Sequence, residues 1–305
     1  MTDTANSAAK PLIETKPLIE TKPLIEAKNL RIAFGRGEAA VEVVHGISFT
    51  LGREKLGIVG ESGAGKSTIG RAIMRLSPPG ARVTADRLTF KDVDLLSATE
   101  RQMMRLRGRR IGLILQDPKY SLNPVVPVGE QIAETWRLHH PGRAGAREAA
   151  ERTLSILEAV KIRDPERVAK LYPHEISGGM GQRVMIAMML IAGPDVLIAD
   201  EPTSALDVTV RLEVLTLLDE LIESRGLGLI LISHDLNLVR RFCDRVVIMY
   251  AGRIMETLKA ADLDKAEHPY TRGLLGSLPS IHSQQHRLPV LTRDPAWLLG
   301  AGAAR

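Results

Sequence analysis

The chain has 305 residues, of which 44% are hydrophobic and 25% are charged, as expected of a globular fold. It contains one cysteine, Cys243, which excludes an intrachain disulfide and favours a reducing compartment. The longest apolar run, residues 184–192, is too short for the roughly 18 residues of a membrane-spanning helix, and the N-terminus lacks a signal-peptide pattern. We therefore expect a cytoplasmic protein.

The N-terminal residues repeat a six-residue unit. Residues 10–15 recur as 16–21 and, with one change, as 22–27. Every copy contains a proline, so the copies cannot form one continuous helix, and the unit is too short to build a solenoid. We predict a disordered N-terminal tail over residues 1–23 and a folded domain that begins at Leu24.

Beyond this tail, strands and helices alternate in an α/β order. Residues 128–171 carry helical patterning without a strand, broken near two prolines at 140–142 and 164–165, which predicts a helical insertion. Residues 279–305 show little fold signal and are treated as a C-terminal tail. Strands are predicted over 41–51, 55–59, 111–115, 196–199, 229–232 and 246–249, and a helix over about 66–76.

The densest basic run lies just before the predicted strand 111–115. A nucleic-acid surface of this kind would carry interleaved aromatic residues, and the run has none. We interpret it as the solvated face of a helix and expect no nucleic-acid partner. The run consists of Arg101, Arg105, Arg107, Arg109 and Arg110.

A glycine-rich loop joins the predicted strand 55–59 to the helix after it. Its sequence matches the P-loop pattern, in which glycines let backbone N–H groups turn towards phosphate oxygens. Lys66 is expected to neutralise the β- and γ-phosphates, and the Ser67 hydroxyl to ligate Mg²⁺. The residues predicted to bind nucleotide here are Gly60, Glu61, Ser62, Gly63, Ala64, Gly65, Lys66, Ser67 and Thr68.

Several predicted strands end in polar side chains. Asp200 suits the magnesium side of a nucleotide site, and Glu201 suits the polarisation of a water that attacks the γ-phosphate. An acidic strand end also occurs without catalysis in α/β folds, but the P-loop upstream favours the functional interpretation. Gln116 and His234 also follow predicted strands, and taken singly each is equally compatible with a structural role.

A second anion-binding helix start lies about 110 residues beyond the P-loop. It consists of Ser177, Gly178 and Gly179, before a helix predicted over 182–191. One nucleotide does not need two such sites in one chain. Two chains that face each other head to tail would use both.

The order of these motifs resembles the nucleotide-binding subunits of ABC transporters. The resemblance covers residues 24–278 and implies ATP as the ligand. It implies an α/β fold with a P-loop NTPase core of the ABC ATPase type, an antiparallel β subdomain and a helical insertion subdomain over about 120–192. The motifs are the P-loop, Gln116, Ser177-Gly178-Gly179, Asp200-Glu201, Ser204 to Asp207, and His234.

The resemblance also implies roles for individual residues. Gln116 resembles the Q-loop residue that links Mg²⁺ or a water to the membrane subunit, and His234 resembles the switch histidine on the γ-phosphate. Phe34 lies where the family stacks an aromatic ring on adenine. The implied catalytic residues are Glu201, His234 and Gln116, and the implied metal ligands are Ser67, Gln116 and Asp200. Nucleotide contacts are further implied for the signature residues Ser177, Gly178 and Gly179, which would reach ATP on a partner subunit, and for Gln182 and Asp207.

Shorter segments resemble the ATPases of oligopeptide, dipeptide and nickel importers. They are residues 60–63, 116–118 with 121–124, 172–175 and 268–272. Two features depart from that subfamily. Residue 181 is glycine instead of the usual arginine, which removes a charge and weakens the helix start. No cysteine follows Cys243, so the iron–sulfur cluster of some members is not expected.

The implied function is an ATP-hydrolysing motor at the cytoplasmic face of the inner (cell) membrane. Its implied partners are a second ATPase, two transmembrane permease subunits and, indirectly, an extracytoplasmic substrate-binding protein. A heterodimer is favoured over a homodimer. Peptide is the first choice of cargo, nickel the second, and opine- or sugar-derived compounds the third.

Two other classes are weighed against this function. Soluble ABC ATPases of DNA repair or translation typically fuse two ATPase units or carry coiled-coil or zinc insertions, and this sequence shows one signature, no heptads and no cysteine pair. The chemistry of a P-loop small-molecule kinase does not require the loop of Ser177, Gly178 and Gly179. Both alternatives rank below a transporter motor.

Overall fold

The computed structural model describes residues 22–116, 121–141, 145–277 and 294–298. The first two copies of the repeat, most of the predicted C-terminal tail and the Asp117-Pro118 pair lie outside the described residues. The described strands are β1 (Ile25–Phe34), β2 (Val41–Leu51), β3 (Lys55–Gly60), β4 (Ala81–Thr84), β5 (Arg87–Phe90), β6 (Val93–Asp94), β7 (Ile111–Ile114), β8 (Val196–Asp200), β9 (Gly228–Ser233), β10 (Arg245–Tyr250) and β11 (Arg253–Lys259).

One sheet is antiparallel and is built around β1. This strand pairs with β2 on one side and with β4 and β5 on the other, and β6 extends β5. Leu30 and Ile32 in β1 are fully buried, while Arg31 between them is exposed. This two-residue period is that of a strand with one face on the core.

The other sheet has the order β11-β10-β3-β9-β8-β7 and is parallel except at its β11 edge. Every residue of β8 and β9 is buried, as expected of central parallel strands covered on both faces. Ligands of such sheets bind at the carboxyl ends of the strands. That edge carries the P-loop after β3, Gln116 after β7, Glu201 after β8 and His234 after β9.

Helices cover both faces of this sheet and form the insertion. Within the described residues, no helix is both long and apolar enough to span a bilayer. In the insertion, α3 and α4 pack on each other and on α6, and α5 packs on α4, around core residues such as Ile132 and Leu157. The described helices are α1 (Lys66–Ile73), α2 (Glu100–Leu106), α3 (Val128–His139), α4 (Ala146–Ala159), α5 (Pro165–Val168), α6 (Gly178–Leu190), α7 (Val208–Arg225), α8 (Leu236–Phe242) and α9 (Pro269–Gly276).

Two predicted helix bounds were wrong. The helix predicted to extend to about residue 76 ends at Ile73, because Arg75 turns the chain with a φ of 51°. The helix predicted to begin at Gln182 begins at Gly178, because the Ser177 hydroxyl caps it by accepting the N–H of Met180 at 3.3 Å. Both glycines therefore belong to its first turn.

The basic run has a structural role. Arg101 and Arg105 are exposed on α2, which leads into β7 as a solvated helical face. Arg107 donates to the carbonyl oxygen of Met74 at 2.8 Å and to the carboxylate of Glu100 at 2.5 Å. The bond to Met74 connects the end of α2 to the end of α1, and the pair with Glu100 lies within α2.

A short segment near the C-terminus returns to the core as a 3₁₀ turn, Pro295–Leu298. The Trp297 ring lies 5.8 Å from Tyr250, 5.7 Å from Tyr270 and 5.9 Å from His268, measured between ring centroids. A single tryptophan has no periodicity that would reveal such a contact, so the sequence pattern predicted only a tail there.

Candidate nucleotide-binding and hydrolysis site

The P-loop has a backbone that requires glycine at particular positions. Gly63 and Gly65 have φ values of 81° and 89°, in the left-handed region that other residues disfavour. A Cβ on Gly60 would lie 2.1 Å from the carbonyl oxygen of Met249 in β10. Turns of this kind present successive N–H groups to an anion, and the start of α1 adds the positive end of a helix.

Lys66 is bound by the loop that it follows. Its ammonium donates to the carbonyl oxygens of Gly60 (2.8 Å) and Glu61 (2.9 Å), and the residue is only 6% exposed. Burial lowers the pKa of Lys66, and the nearby carboxylates of Glu201 and Asp200 oppose that shift. The ammonium is thus held inside the P-loop, where phosphate oxygens would compete with the two carbonyls for its protons.

Ser67 and Asp200 meet across the gap between α1 and β8. The Ser67 hydroxyl donates to Oδ1 of Asp200 at 2.8 Å. Asp200 is 8% exposed, and burial raises its pKa, although the bond from Ser67 partly offsets that rise. Gln116 lines the same cleft. A hydroxyl, a carboxylate and an amide oxygen are suitable ligands for a hard divalent cation such as Mg²⁺.

Replacing Asp200 with asparagine is expected to raise the melting temperature of the nucleotide-free protein and to lower Mg²⁺-dependent hydrolysis. The folded-state pKa of Asp200 lies above its unfolded value, so the ionised carboxylate costs stability at neutral pH. Asparagine removes that cost, and its oxygen still accepts from Ser67. Thermal unfolding and ATPase assays check the two effects, with Asp262→Asn, at a partly exposed carboxylate, as control. A lower melting temperature for Asp200→Asn would contradict the predicted gain in stability.

The predicted catalytic residues Glu201, His234 and Gln116 lie together at the strand ends. Nδ1 of His234 is 2.9 Å from Oε1 of Glu201, and Nε2 of Gln116 is 3.4 Å from Oε2. The side chain of Glu201 is 22% exposed and that of His234 is 62% exposed. A water that reaches Glu201 would therefore meet a carboxylate whose orientation is set by an imidazole and an amide.

The backbone of Glu201 helps to aim this carboxylate. Its φ of 48° lies in the left-handed region, which is strained for a residue with a side chain. Its N–H donates to the carbonyl oxygen of Ile232 in β9 at 2.9 Å, which extends the pairing of β8 with β9 by one bond. The Ser204 hydroxyl in turn donates to the carbonyl oxygen of Glu201 at 3.1 Å. Neighbouring backbone contacts thus stabilise the strained turn.

The signature residues line a different part of the surface. Ser177 and Gly179 line a groove of about 770 Å³ between α6 and α7. Ser67, Gln116, Asp200 and Ser204 line a separate cleft of about 500 Å³. The two linings share no residue, so the chain does not bring its own signature to its own P-loop.

Three other predicted nucleotide contacts have clear positions. Gln182 lies in the second turn of α6 and is 1% exposed, so its side chain is not available to a nucleotide here. Asp207 is exposed and caps α7 by accepting the N–H groups of Thr209 and Val210 at 3.1 and 3.0 Å. Phe34 ends β1 and packs against the core under the antiparallel sheet, so adenine stacking stays a prediction.

Arg71 belongs to the site and was missed by the sequence analysis. It lines the same cleft as Ser67, Gln116 and Asp200, and its charge acts to lower the pKa of Asp200. Arg71 lies four residues beyond Ser67 in α1, and residues at this spacing share a helix face. This four-residue spacing from Ser67 is the sequence feature that could have identified Arg71.

Comparisons with known proteins agree with this arrangement. A family model described as ABC transporter matches residues 44–204. The chain is 47% identical over 256 residues to the "Probable peptide ABC transporter ATP-binding protein y4tR" of Sinorhizobium fredii, covering 83% of this chain and 76% of that protein. It is 45% identical over 273 residues to the oligopeptide transport ATP-binding protein OppD of Salmonella typhimurium, covering 89% and 81%.

Solved structures show the same fold. A dimeric bacterial ABC transporter cassette aligns with a TM-score of 0.69 at 26% identity, covering 77% of this chain and 98% of that one. A dimeric cassette with bound ADP and Pi aligns with a TM-score of 0.66 at the same identity and coverage. Each match covers 77% of this chain and is to an ABC cassette, which disfavours the kinase alternative. This chain belongs to the ABC transporter family and is one of its ATP-binding, ATP-hydrolysing proteins.

Proposed function

We propose that the chain is a motor subunit of an ABC importer that takes up peptides. Two ATPase subunits face each other head to tail, and each ATP is bound between the P-loop of one and the signature of the other. The observation that carries this arrangement is the separation of Ser177 and Gly179 from Ser67 and Asp200 in two clefts of one chain. The dimeric cassettes with a similar fold support it.

The site residues divide the chemistry among them. Ser67, Asp200 and Gln116 would hold Mg²⁺, whose charge neutralises phosphate oxygens. Lys66 binds the β- and γ-phosphates, and Glu201 accepts a proton from the attacking water. His234 contacts Glu201 in this structure, and its exposed side chain is free to turn towards a γ-phosphate. Closure of the subunit pair pulls on membrane partners, and hydrolysis reopens it.

Peptides are the cargo that the relatives favour. Proteins 42–47% identical to this chain are named for peptide, oligopeptide and dipeptide transport. The chain would work with a second, different ATPase and two permease subunits at the cytoplasmic face of the membrane, and indirectly with a substrate-binding protein. Nickel and opine-type compounds are the alternative cargoes.

A tagged pull-down from native membranes in mild detergent tests this proposal, with partners identified by mass spectrometry. Two polytopic membrane subunits and a second ATPase are the expected result, and recovery of this chain alone as the ATPase would favour a homodimer. The associated binding protein is then titrated with peptides and with Ni²⁺. Recovery of only soluble or nucleic-acid-associated partners would overturn the transporter role and leave the ATPase chemistry intact.

A further inference from the structure

Another cavity lies apart from both the hydrolysis cleft and the groove of the signature residues. It has a volume of about 600 Å³ and lies where β2, β11 and the C-terminal turn Pro295–Leu298 meet. None of its lining residues also lines the cleft or the groove. Sites for small molecules have volumes of roughly 300–1,000 Å³, so this cavity is large enough to bind one.

Side-chain N–H groups without acceptors line this cavity. The guanidinium of Arg253 is partly buried and forms no hydrogen bond or ion pair with any residue of the described chain. The indole N–H of Trp297 likewise has no acceptor among those residues. Nδ1 of His268 accepts the N–H of Tyr270 at 3.1 Å, so the neutral ring carries its proton on Nε2. Donors that the protein leaves unsatisfied are available to an anionic ligand.

The cavity also has an aromatic wall. The ring centroids of Trp297 and His268 are 5.9 Å apart, and the two rings are tilted by 58°. Met255 is a further lining residue. Aromatic rings pack with their centroids about 4.5–7 Å apart, and a thioether adapts to the edge of a ring. A planar ring is therefore the apolar group that this lining suits.

The charges of the lining distinguish a carboxylate from a phosphate. The planar guanidinium of Arg253 matches the two oxygens of a carboxylate through paired N–H groups. Asp294 adds a negative charge to the same lining, which disfavours a ligand with two negative charges. A cationic and an anionic side chain in one lining thus favour a monoanion over a phosphate dianion.

The turn before Arg253 connects the cavity to the P-loop. The N–H of Gly252 donates to the carbonyl oxygen of Ala64 at 3.2 Å, and the carbonyl oxygen of Gly252 accepts the N–H of His45 at 2.9 Å. A Cβ on Gly252 would lie 2.1 Å from the carbonyl oxygen of Val43, so the turn is tightly packed. His45 and Arg253 both line the cavity. A ligand that contacts them would therefore restrict a turn that supports the P-loop.

We propose that this cavity binds a planar aromatic carboxylate, which tightens ATP binding through the turn at Gly252. Arg253 binds the carboxylate, and the ring of the ligand packs against Trp297 and His268. The ligand restricts the turn before ATP arrives, so the P-loop loses less conformational entropy when it binds phosphate. This inference goes beyond the proposed function and is independent of the membrane partners.

Tryptophan fluorescence of the whole chain tests the site. The chain has two tryptophans, so Trp136→Phe leaves Trp297 as the only one. The indole N–H of Trp136 has no acceptor among the described residues, so phenylalanine removes no hydrogen bond there. Benzoate and nicotinate are expected to change the emission of Trp297 with dissociation constants of about 1 mM or below. Isothermal titration of the wild-type chain measures the same affinities without a change at Trp136.

The matched probes are benzamide and nicotinamide, which keep the ring but lack the charge, and inorganic phosphate, which lacks the ring. All three are expected to bind at least about tenfold more weakly than the acids, because each lacks one of the two groups that the cavity recognises. If neither acid changes the emission of Trp297 at about 10 mM, tenfold above the expected dissociation constant, the site is overturned. Equal binding of acids and amides would overturn the role of the carboxylate.

Arg253→Gln is expected to weaken the binding of both acids by roughly tenfold or more and to leave the weak binding of the amides unchanged. Arg272→Gln is the matched control, since Arg272 is an exposed arginine of α9 that does not line the cavity. It is expected to bind the acids as the wild-type chain does. If the two variants behave alike, the acids bind elsewhere or through the net charge of the chain, and the proposal fails.

The link to the P-loop is tested with a non-hydrolysable ATP analogue. Saturating nicotinate is expected to raise the affinity for the analogue by about fivefold or more, and the analogue to raise the affinity for nicotinate by the same factor. Mutual exclusion of the two ligands would place nicotinate in the nucleotide site and overturn the proposal. Independent binding of both ligands would overturn the link through Gly252 and leave the carboxylate site standing.

Discussion

Glu201→Gln is expected to bind ATP as the wild-type protein does but to hydrolyse it roughly 10²–10⁴-fold more slowly, the usual cost of losing a general base. Glutamine has nearly the same shape, so the contacts of the side chain with His234 and Gln116 and the extra bond from its N–H to Ile232 persist. An amide, however, does not accept a proton from water. The rate of phosphate release and the affinity for ATP, measured on the same preparation, separate these effects.

The control for Glu201→Gln is Glu151→Gln. Glu151 is an exposed carboxylate in α4 whose partner is Arg147, and neither residue lines the hydrolysis cleft or the signature groove. It is expected to leave both ATP affinity and turnover unchanged. Wild-type turnover in Glu201→Gln would remove the catalytic assignment of Glu201. A loss of ATP affinity instead of turnover would place this carboxylate in binding.

Lys66→Ala is expected to weaken ATP affinity by about 10- to 150-fold, because a hydrogen bond from a charged group contributes roughly 1.5–3 kcal/mol. The ammonium lies inside the P-loop and is 6% exposed, so no neighbouring lysine takes its place without rearrangement. Isothermal titration with a non-hydrolysable ATP analogue measures the change without interference from turnover.

Lys66 also bonds the loop carbonyls of Gly60 and Glu61, so Lys66→Ala needs a check on folding. Circular dichroism and thermal unfolding supply it. Lys265→Ala is the matched control, since Lys265 pairs with Asp262 on the surface and is expected to leave ATP affinity unchanged. Unchanged affinity in a folded Lys66→Ala protein would count against the P-loop assignment.

Much of the site was predictable because its motifs are local. The P-loop, the pair Asp200-Glu201, and the polar residues after β7 and β9 are each recognised from a few adjacent residues. Their meeting at one edge was also predictable, since the carboxyl ends of parallel strands lie side by side. The contact between Glu201 and His234 at 2.9 Å is a consequence of that topology.

The features that the sequence did not predict depend on a helix cap or on a contact between distant residues. Glycines are poor helix formers, so this helix was predicted to begin at Gln182. It begins at Gly178, because the Ser177 hydroxyl caps it there. Gln182 lies in the second turn of this helix and is 1% exposed, and its contact with nucleotide stays a prediction.

The sequence by itself determined the class of chemistry, since phosphate binding and proton abstraction require particular side chains at short, recognisable spacings. Only the tertiary structure decided which of those side chains are exposed and which other residues support them. Arg107 is one residue of a basic run until the fold places the carbonyl oxygen of Met74 beside it. Trp297 belongs to no sequence pattern, and only the fold packs it against Tyr250 and Tyr270. Burial and hydrogen-bond partners depend on segments far apart in the chain, and no local pattern encodes them.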